Sequence, residues 1–279
     1  MQRRKAWVQI AREAPLLLVA VVFCLPFYLV VTVSLKRSDQ IFTSPLSFPV
    51  QPHFANFADA WAPTSGGNLL GPAFVSSAII TAGSVACLVV LGSMCAYALA
   101  RRPGKMSNLL YFLFVLGIII PFQLGIIPLY VIFLKLGLIG SYLGMIILWI
   151  GIFSPLTVFL YTGFVRSLPR DYEEAARVDG AGTIRIYLRV VLPLLRPITG
   201  TVAILTGLFI WNDFFVSLIF LSGSKHQTLP VAVYTFVGEY LTQWQLVFAT
   251  VLIALAPVFL FFVVAQKQMI RGFSGGIRG

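Results

Sequence analysis

Six apolar runs divide this chain, at 15–35, 74–100, 109–134, 139–164, 198–221 and 246–265. Each reaches about twenty residues or more, the length of helix that crosses a hydrocarbon layer about 30 Å thick. In lipid every backbone amide and carbonyl must be paired within the protein, and helices do this segment by segment. The expected fold class is therefore an all-α polytopic membrane protein with six transmembrane helices, residues 1–279 forming a single membrane domain. Composition excludes a soluble globular domain: 59% of residues are hydrophobic and 10% charged, against about 25% charged in ordinary soluble domains.

The net charge of +11 could point to nucleic acid. However, the basic residues are scattered between the apolar runs instead of forming one face, so no nucleic-acid partner is expected. Their placement reads as topology. With the N-terminus inside, all lysines and arginines fall on the cytoplasmic side except Lys36, Arg37, Lys135 and Lys225. That asymmetry satisfies the positive-inside rule with six spans and both termini in the cytoplasm. The basic start (Arg3, Arg4, Lys5, Arg12) followed by an apolar run resembles a signal peptide. The run is too long and lacks a small-residue cleavage site, so it reads as an uncleaved first helix.

Residues 36–73 are polar and rich in Pro, Gly and Ser, and are expected along the outer face with Phe48, Phe54, Phe57 and Trp61 at the membrane interface. Pro121 and Pro128 interrupt the third run and predict kinks, with Gln123 the polar side chain between them. Ala82, Gly83, Ala86, Gly92, Ala96 and Ala98 in the second run permit close helix contact. Cys24, Cys87 and Cys95 match no metal or redox spacing and read as packing residues. His53 and His226 are isolated loop residues with no assigned role. Asp213, beside Asn212, is the acid placed well within a run, roughly 22 Å along it at about 1.5 Å per residue. Asp213 has two readings, a translocation-path or gate residue, or a structural acid bonded to neighbouring helices.

A charged island at 168–197 separates the fourth and fifth runs and carries four of the chain's nine acids: Asp171, Glu173, Glu174 and Asp179. Pro169 suits a first helical position, and the acids that follow lie near the positive end of the helix dipole. The first helix should run about three turns and stop at Gly180. Thr183 can cap a second helix, 184–192, that Pro193 and Pro197 close. Glu173 stands four residues before Arg177 and can be neutralised within the helix, whereas Glu174 has no partner at that spacing. Two short helices bent at a glycine form a docking device. The plainer alternative is a solvated loop whose charges only keep it out of lipid.

The segment Glu174–Gly182 (EAARVDGAG), followed by an apolar-basic helix and Leu192-Pro193, resembles the EAA loop of permease subunits of binding-protein-dependent ABC importers. The likeness is to the sugar-importer branch that includes the maltose permease. It implies the type I ABC importer permease fold, in which this loop is the coupling helix seated in an ATPase cleft. Glu174, Ala175, Ala176, Asp179 and Gly180 then hold the motif positions, with Asp171, Glu173 and Ala181 beside them. Glu174 would pair with an ATPase arginine and Gly180 would form the bend. Gly182 stands where the family commonly has Thr or Ser, which predicts a looser bend.

The tail QKQMIRGFSGGIRG resembles the C-terminal signature of the sugar permeases, so Arg271, Gly272, Gly276 and Gly279 are expected at the ATPase interface on an irregular backbone. The resemblance implies a second similar permease, two ATPase subunits and an extracytoplasmic solute-binding protein as partners, in a bacterial or archaeal cytoplasmic membrane. The loop 222–245 is the expected contact with the binding protein. Gln123, Asn212 and Asp213 are the candidates for the solute path.

The chain has no phosphate-binding G-x-x-x-x-G-K-[ST] and no catalytic set, so it is not expected to be an enzyme. It should bind no cofactor, ATP and Mg residing on the ATPase partners. The competing class, a secondary transporter or channel, would want an inverted repeat and ionisable residues paired at the midplane.

Overall fold

The computed structural model describes all residues except Met1, Pro45, 62–69, Pro103, 240–242 and 276–279, and describes 2–12, Ala14, 235–239, 261–262 and 264–275 by their backbone alone. The described regular structure is helical throughout. In chain order the helices are α1 (Gln2–Ser34), α2 (Ser38–Thr43), α3 (Ala55–Trp61), α4 (Leu70–Arg101), α5 (Lys105–Ile119), α6 (Ile126–Lys135) and α7 (Tyr142–Ser167). They continue with α8 (Asp171–Val178), α9 (Thr183–Ile186), α10 (Leu192–Leu194), α11 (Arg196–Asn212), α12 (Phe215–Phe220), α13 (Leu229–Glu239) and α14 (Trp244–Gly275).

The segments Pro15–Ser34, Leu70–Arg101 and Tyr142–Ser167 are each long and apolar enough to cross a membrane as single helices. Two further candidates are bent pairs. Lys105–Ile119 meets Phe122–Lys135 at 90°, and Thr183–Leu194 meets Arg196–Asn212 at 73°. The first bend shows where proline acts and where it does not. Ile120, just before Pro121, is pushed into extended backbone and the helix stops there. Pro128 lies in the first turn of α6, where its missing N–H would have had no partner anyway, so it makes no second kink. Pro155 sits inside α7, which continues through it.

The chain divides into two compact units. The first holds Met1–Gly71 and Ala232–Pro257. Here the polar stretch after α1 is more ordered than its composition suggests. Asn56 on α3 is buried and donates from Nδ2 to the carbonyls of Ser34 and Lys36, 2.8 Å each, satisfying the end of α1. Of the four aromatics in this stretch Phe48, Phe54 and Trp61 are exposed and Phe57 is partly buried.

The second unit holds Pro72–Val231 and Val258–Gly279. Lipid tails are as apolar as leucine, so close packing, more than water exclusion, must hold such helices together. Small residues supply that closeness. A Cβ on Gly83 would stand 2.7 Å from Ile146 of α7, and one on Gly92 would collide with Thr157 of the same helix. Gly117 of α5 packs as tightly on Pro155. Trp149, Met145, Leu148 and Phe153 of α7 form one core with Ile80 and Leu88 of α4 and Phe220 of α12. A second core gathers Ala96 and Tyr97 of α4, Tyr161 and Val165 of α7, and Ile186, Tyr187, Val191 and Leu195 of the charged island. The island is thus packed onto the ends of α4 and α7, and the plain solvated loop is excluded.

Candidate functional site

Helix α8 begins after Arg170 and spans eight residues, shorter than the three turns read from sequence. Its stop is a Schellman motif. Gly180 N–H donates to Arg177 O at 2.9 Å and Ala181 N–H to Ala176 O at 3.0 Å, with Gly180 at φ +78°. Ala176 and Ala181 both pack on the second core, the apolar contact that accompanies this motif. Gly182 adopts extended backbone and precedes α9 directly. Thr183 is the first helical residue of α9 and makes no cap, because Gly182 occupies that place. Nor does Pro193 close the second helix. The turn Tyr187–Val191 widens to a π-helix, Leu192 N–H donates to Tyr187 O, and the helix runs on to Leu194 before the 73° bend ahead of Pro197.

Gly180→Leu tests the bend. A Cβ there meets nothing within 4 Å, so its effect is conformational alone. A side chain at positive φ costs about 1–2 kcal/mol, enough to shift a two-state equilibrium roughly 5–30-fold. For a loop that couples ATP hydrolysis to solute uptake, as the resemblance implies, the expected result is normal membrane insertion with hydrolysis uncoupled from uptake, read by measuring both in one vesicle preparation. Wild-type uptake would contradict this.

The acids of the island part ways. Asp171, Glu174 and Asp179 are exposed, together with Ala175. No ion pair involves the Glu174 carboxylate among the described residues. Glu173 corrects the sequence reading: it is buried and its partner is not Arg177. Arg101 Nε donates to Glu173 Oε1 at 2.6 Å and Tyr97 OH to Oε2 at 2.9 Å, while Arg101 Nη2 reaches Leu168 O at 3.0 Å. The reason is helical phase. Residues 173 and 176 face the core from α8, and 174 and 178 face away.

Sequence reasoning missed the apolar part of the outward face. Val178 is 88% and Ile184 77% exposed, flanking the Gly180 bend, and Tyr172 is also exposed. The signal for it is three large apolar residues inside a polar segment, at positions the inward phase does not use. An exposed acid and exposed apolar side chains on one short segment, fixed to the protein's core, suit a docking surface.

Asp213 is not inside a continuous helix. Helix α11 ends at Asn212, and the Asp213 carboxylate accepts from the backbone N–H groups of Ser217 at 2.8 Å and Val216 at 3.3 Å, capping α12. Its partners are first-turn amides of the next helix in the chain, as the structural reading of this acid has it. Asn212 and Gln123 are both exposed, Asn212 donating to Leu208 O and Gln123 lying in the short turn at the 90° bend. Among the described residues no hydrogen bond joins Gln123 to the other two. Arg271 and Gly272 lie in α14, which continues to Gly275, so helical backbone replaces the irregular path expected there. Gly276 and Gly279 lie outside the described residues.

Three helices of membrane length, two bent helix pairs and a core-anchored charged loop between them fit one class, a transport permease. The chain belongs to the family described as the binding-protein-dependent transport system inner membrane component, whose model matches residues 88–274. It is 40% identical over 264 residues to the melibiose/raffinose/stachyose import permease protein MelC of Bacillus subtilis, covering 93% of this chain and 94% of that one. It is 35% identical over 252 residues to the probable starch degradation products transport system permease protein AmyC of Thermoanaerobacterium thermosulfurigenes, covering 90% of each. The fold matches a chain of a bacterial ABC transporter involved in the import of the acidic polysaccharide alginate. The TM-score is 0.80 at 22% identity, over 95% of this chain and 97% of that chain.

Proposed function

We propose that this chain is the transmembrane subunit of an ATP-driven ABC importer and forms half of the translocation pathway for a small carbohydrate. The observation that carries the reading is the near full-length similarity to MelC, a permease named for oligosaccharide import. The chain crosses a prokaryotic cytoplasmic membrane six times with both termini in the cytoplasm, in keeping with the basic-residue asymmetry. A second, similar permease completes the pathway, and a solute-binding protein delivers the sugar from outside, against the 222–245 segment. Two ATPase subunits, which hold ATP and Mg, receive the exposed face of α8 and α9. Glu174 meets a cationic group there, with Ala175 and Asp179 beside it and Tyr172, Val178 and Ile184 filling apolar recesses. The tail from Arg271 to Gly279 lies against the same subunits. Closure of the ATPase dimer on ATP displaces α8, and the spans re-tilt to open outward. Nucleotide drives this through its differential affinity for the two states.

The test is reconstitution with the neighbouring ATPase, second permease and binding protein, followed by uptake of labelled oligosaccharide with and without ATP. ATP-dependent uptake is expected only from the complete set. Solute flux by this chain alone, independent of ATP, would point to a secondary transporter or channel.

A further inference from the structure

Helix α4 carries Ser93, Tyr97 and Arg101 four residues apart, so the three polar groups lie on one stripe at its end. All three reach into the charged island. Ser93 Oγ shares a hydrogen bond with Tyr187 OH at 2.7 Å, the rings of Tyr97 and Tyr187 lie 5.5 Å apart, and Tyr97 OH and Arg101 hold both carboxylate oxygens of Glu173. Arg101 also ties down Leu168, the residue that leads from α7 into the island. The ion pair is nearly dry, its side chains 10% and 6% exposed. Desolvation cancels much of the attraction in such pairs, so they are weak evidence of stabilisation; their best-attested use is to fix register. Here the register fixed is that of α8 and the π-turn on α4, a helix separated from the island by more than sixty residues of chain.

We propose that Arg101, with Tyr97, Ser93 and Glu173, is a positioning clamp that makes α4 a receiver of the movement of α8. This rests on the reading of α8 as the ATPase-coupled helix. The covalent connections of the island run to α7 and α11, and either could carry motion without α4. The clamp adds a non-covalent third arm. Glu173 is occupied inside the chain while Glu174, like Asp171 and Asp179, faces outward, and the clamp sets the phase of α8 that aims Glu174.

The experiment uses the full importer in vesicles, with solute transported per ATP hydrolysed as the readout. Arg101→Ala and Glu173→Ala are each expected to leave the complex assembled and hydrolysing ATP while this ratio falls about tenfold, within the roughly 5–150-fold that typical couplings span. The double variant should lose clearly less than the product of the two single losses, because both single variants remove the Arg101–Glu173 contact. A ratio unchanged in the single variants, or losses that multiply in the double, would overturn the clamp. If either single variant fails to assemble, Tyr97→Phe decides: a reduced ratio supports the proposal and a wild-type ratio overturns it. A wild-type complex that shows no ATP-driven uptake would instead sink the importer reading.

Discussion

Glu174→Lys is expected to abolish ATP-driven uptake and ATPase association while the chain still inserts in the membrane. The carboxylate is exposed and in no described ion pair, so nothing inside the protein loses a partner when it is reversed. The whole effect then falls on the interface. Opposing like charges across a contact costs several kcal/mol, and each 1.4 kcal/mol is about tenfold in affinity. Association should weaken by at least about 100-fold. Co-purification with the ATPase, beside an insertion assay, measures it. Glu174→Gln should fall between, since it keeps the shape and one acceptor. Wild-type association of the Lys variant would refute the assignment of Glu174 to the docking face.

Gly144→Ala is expected to destabilise the chain itself. Ser141 caps α7: its Oγ accepts from Gly144 N–H at 3.0 Å and donates to Leu138 O at 2.7 Å. This knot brings the Leu138 carbonyl so close that a Cβ on Gly144 would overlap its oxygen. The obstacle is backbone, and it is pinned, with Leu138 N–H on Phe133 O at 2.9 Å and Gly140 N–H on Phe220 O at 2.8 Å. Overpacking of this kind costs about 3 kcal/mol at its upper end. Thermal unfolding of the purified chain in detergent should show it. Gly151→Ala and Gly163→Ala are the controls, because they lie in the same helix with no atom within 4 Å of the added carbon. They should be neutral or slightly stabilising, since Gly inside a helix costs roughly 0.5–1 kcal/mol relative to Ala. Equal stability for Gly144→Ala and the controls would show that the carbonyl can yield.

Much of this protein is legible in the order of its residues. The stop at Gly180 follows from glycine's access to positive φ, and Schellman bonds close the helix there. The small residues of the second run mark close packing, and Gly83 and Gly92 are where α7 comes closest. Proline is only half legible. Pro121 breaks its helix, while Pro128, Pro155 and Pro193 do not, because each sits where the lost N–H is tolerated or the turn can widen. No local rule separates these cases.

The pairing of Glu173 is not legible at all. Its helical neighbour Arg177 is the nearest cation at the favoured spacing, yet the bond goes to Arg101, and only the approach of α4 to α8 decides that. Asp213 is similar. Depth in an apolar run suggests an intramembrane charge, but the chain breaks there and backbone amides take the carboxylate.

By itself, then, the sequence determined the solvent and the punctuation. The apolar runs required helices in lipid, and the basic residues implied an orientation. Glu174 to Gly182 carried the family resemblance. These follow from properties local in the chain: hydropathy over about twenty residues, charge, and allowed φ and ψ. Tertiary structure decided which acid is kept inside and which is presented, where the prolines bend the chain, and what anchors the loop. Those outcomes depend on helical phase at a contact between segments far apart in sequence, where a rotation of one residue, about 100°, exchanges an inward carboxylate for an outward one.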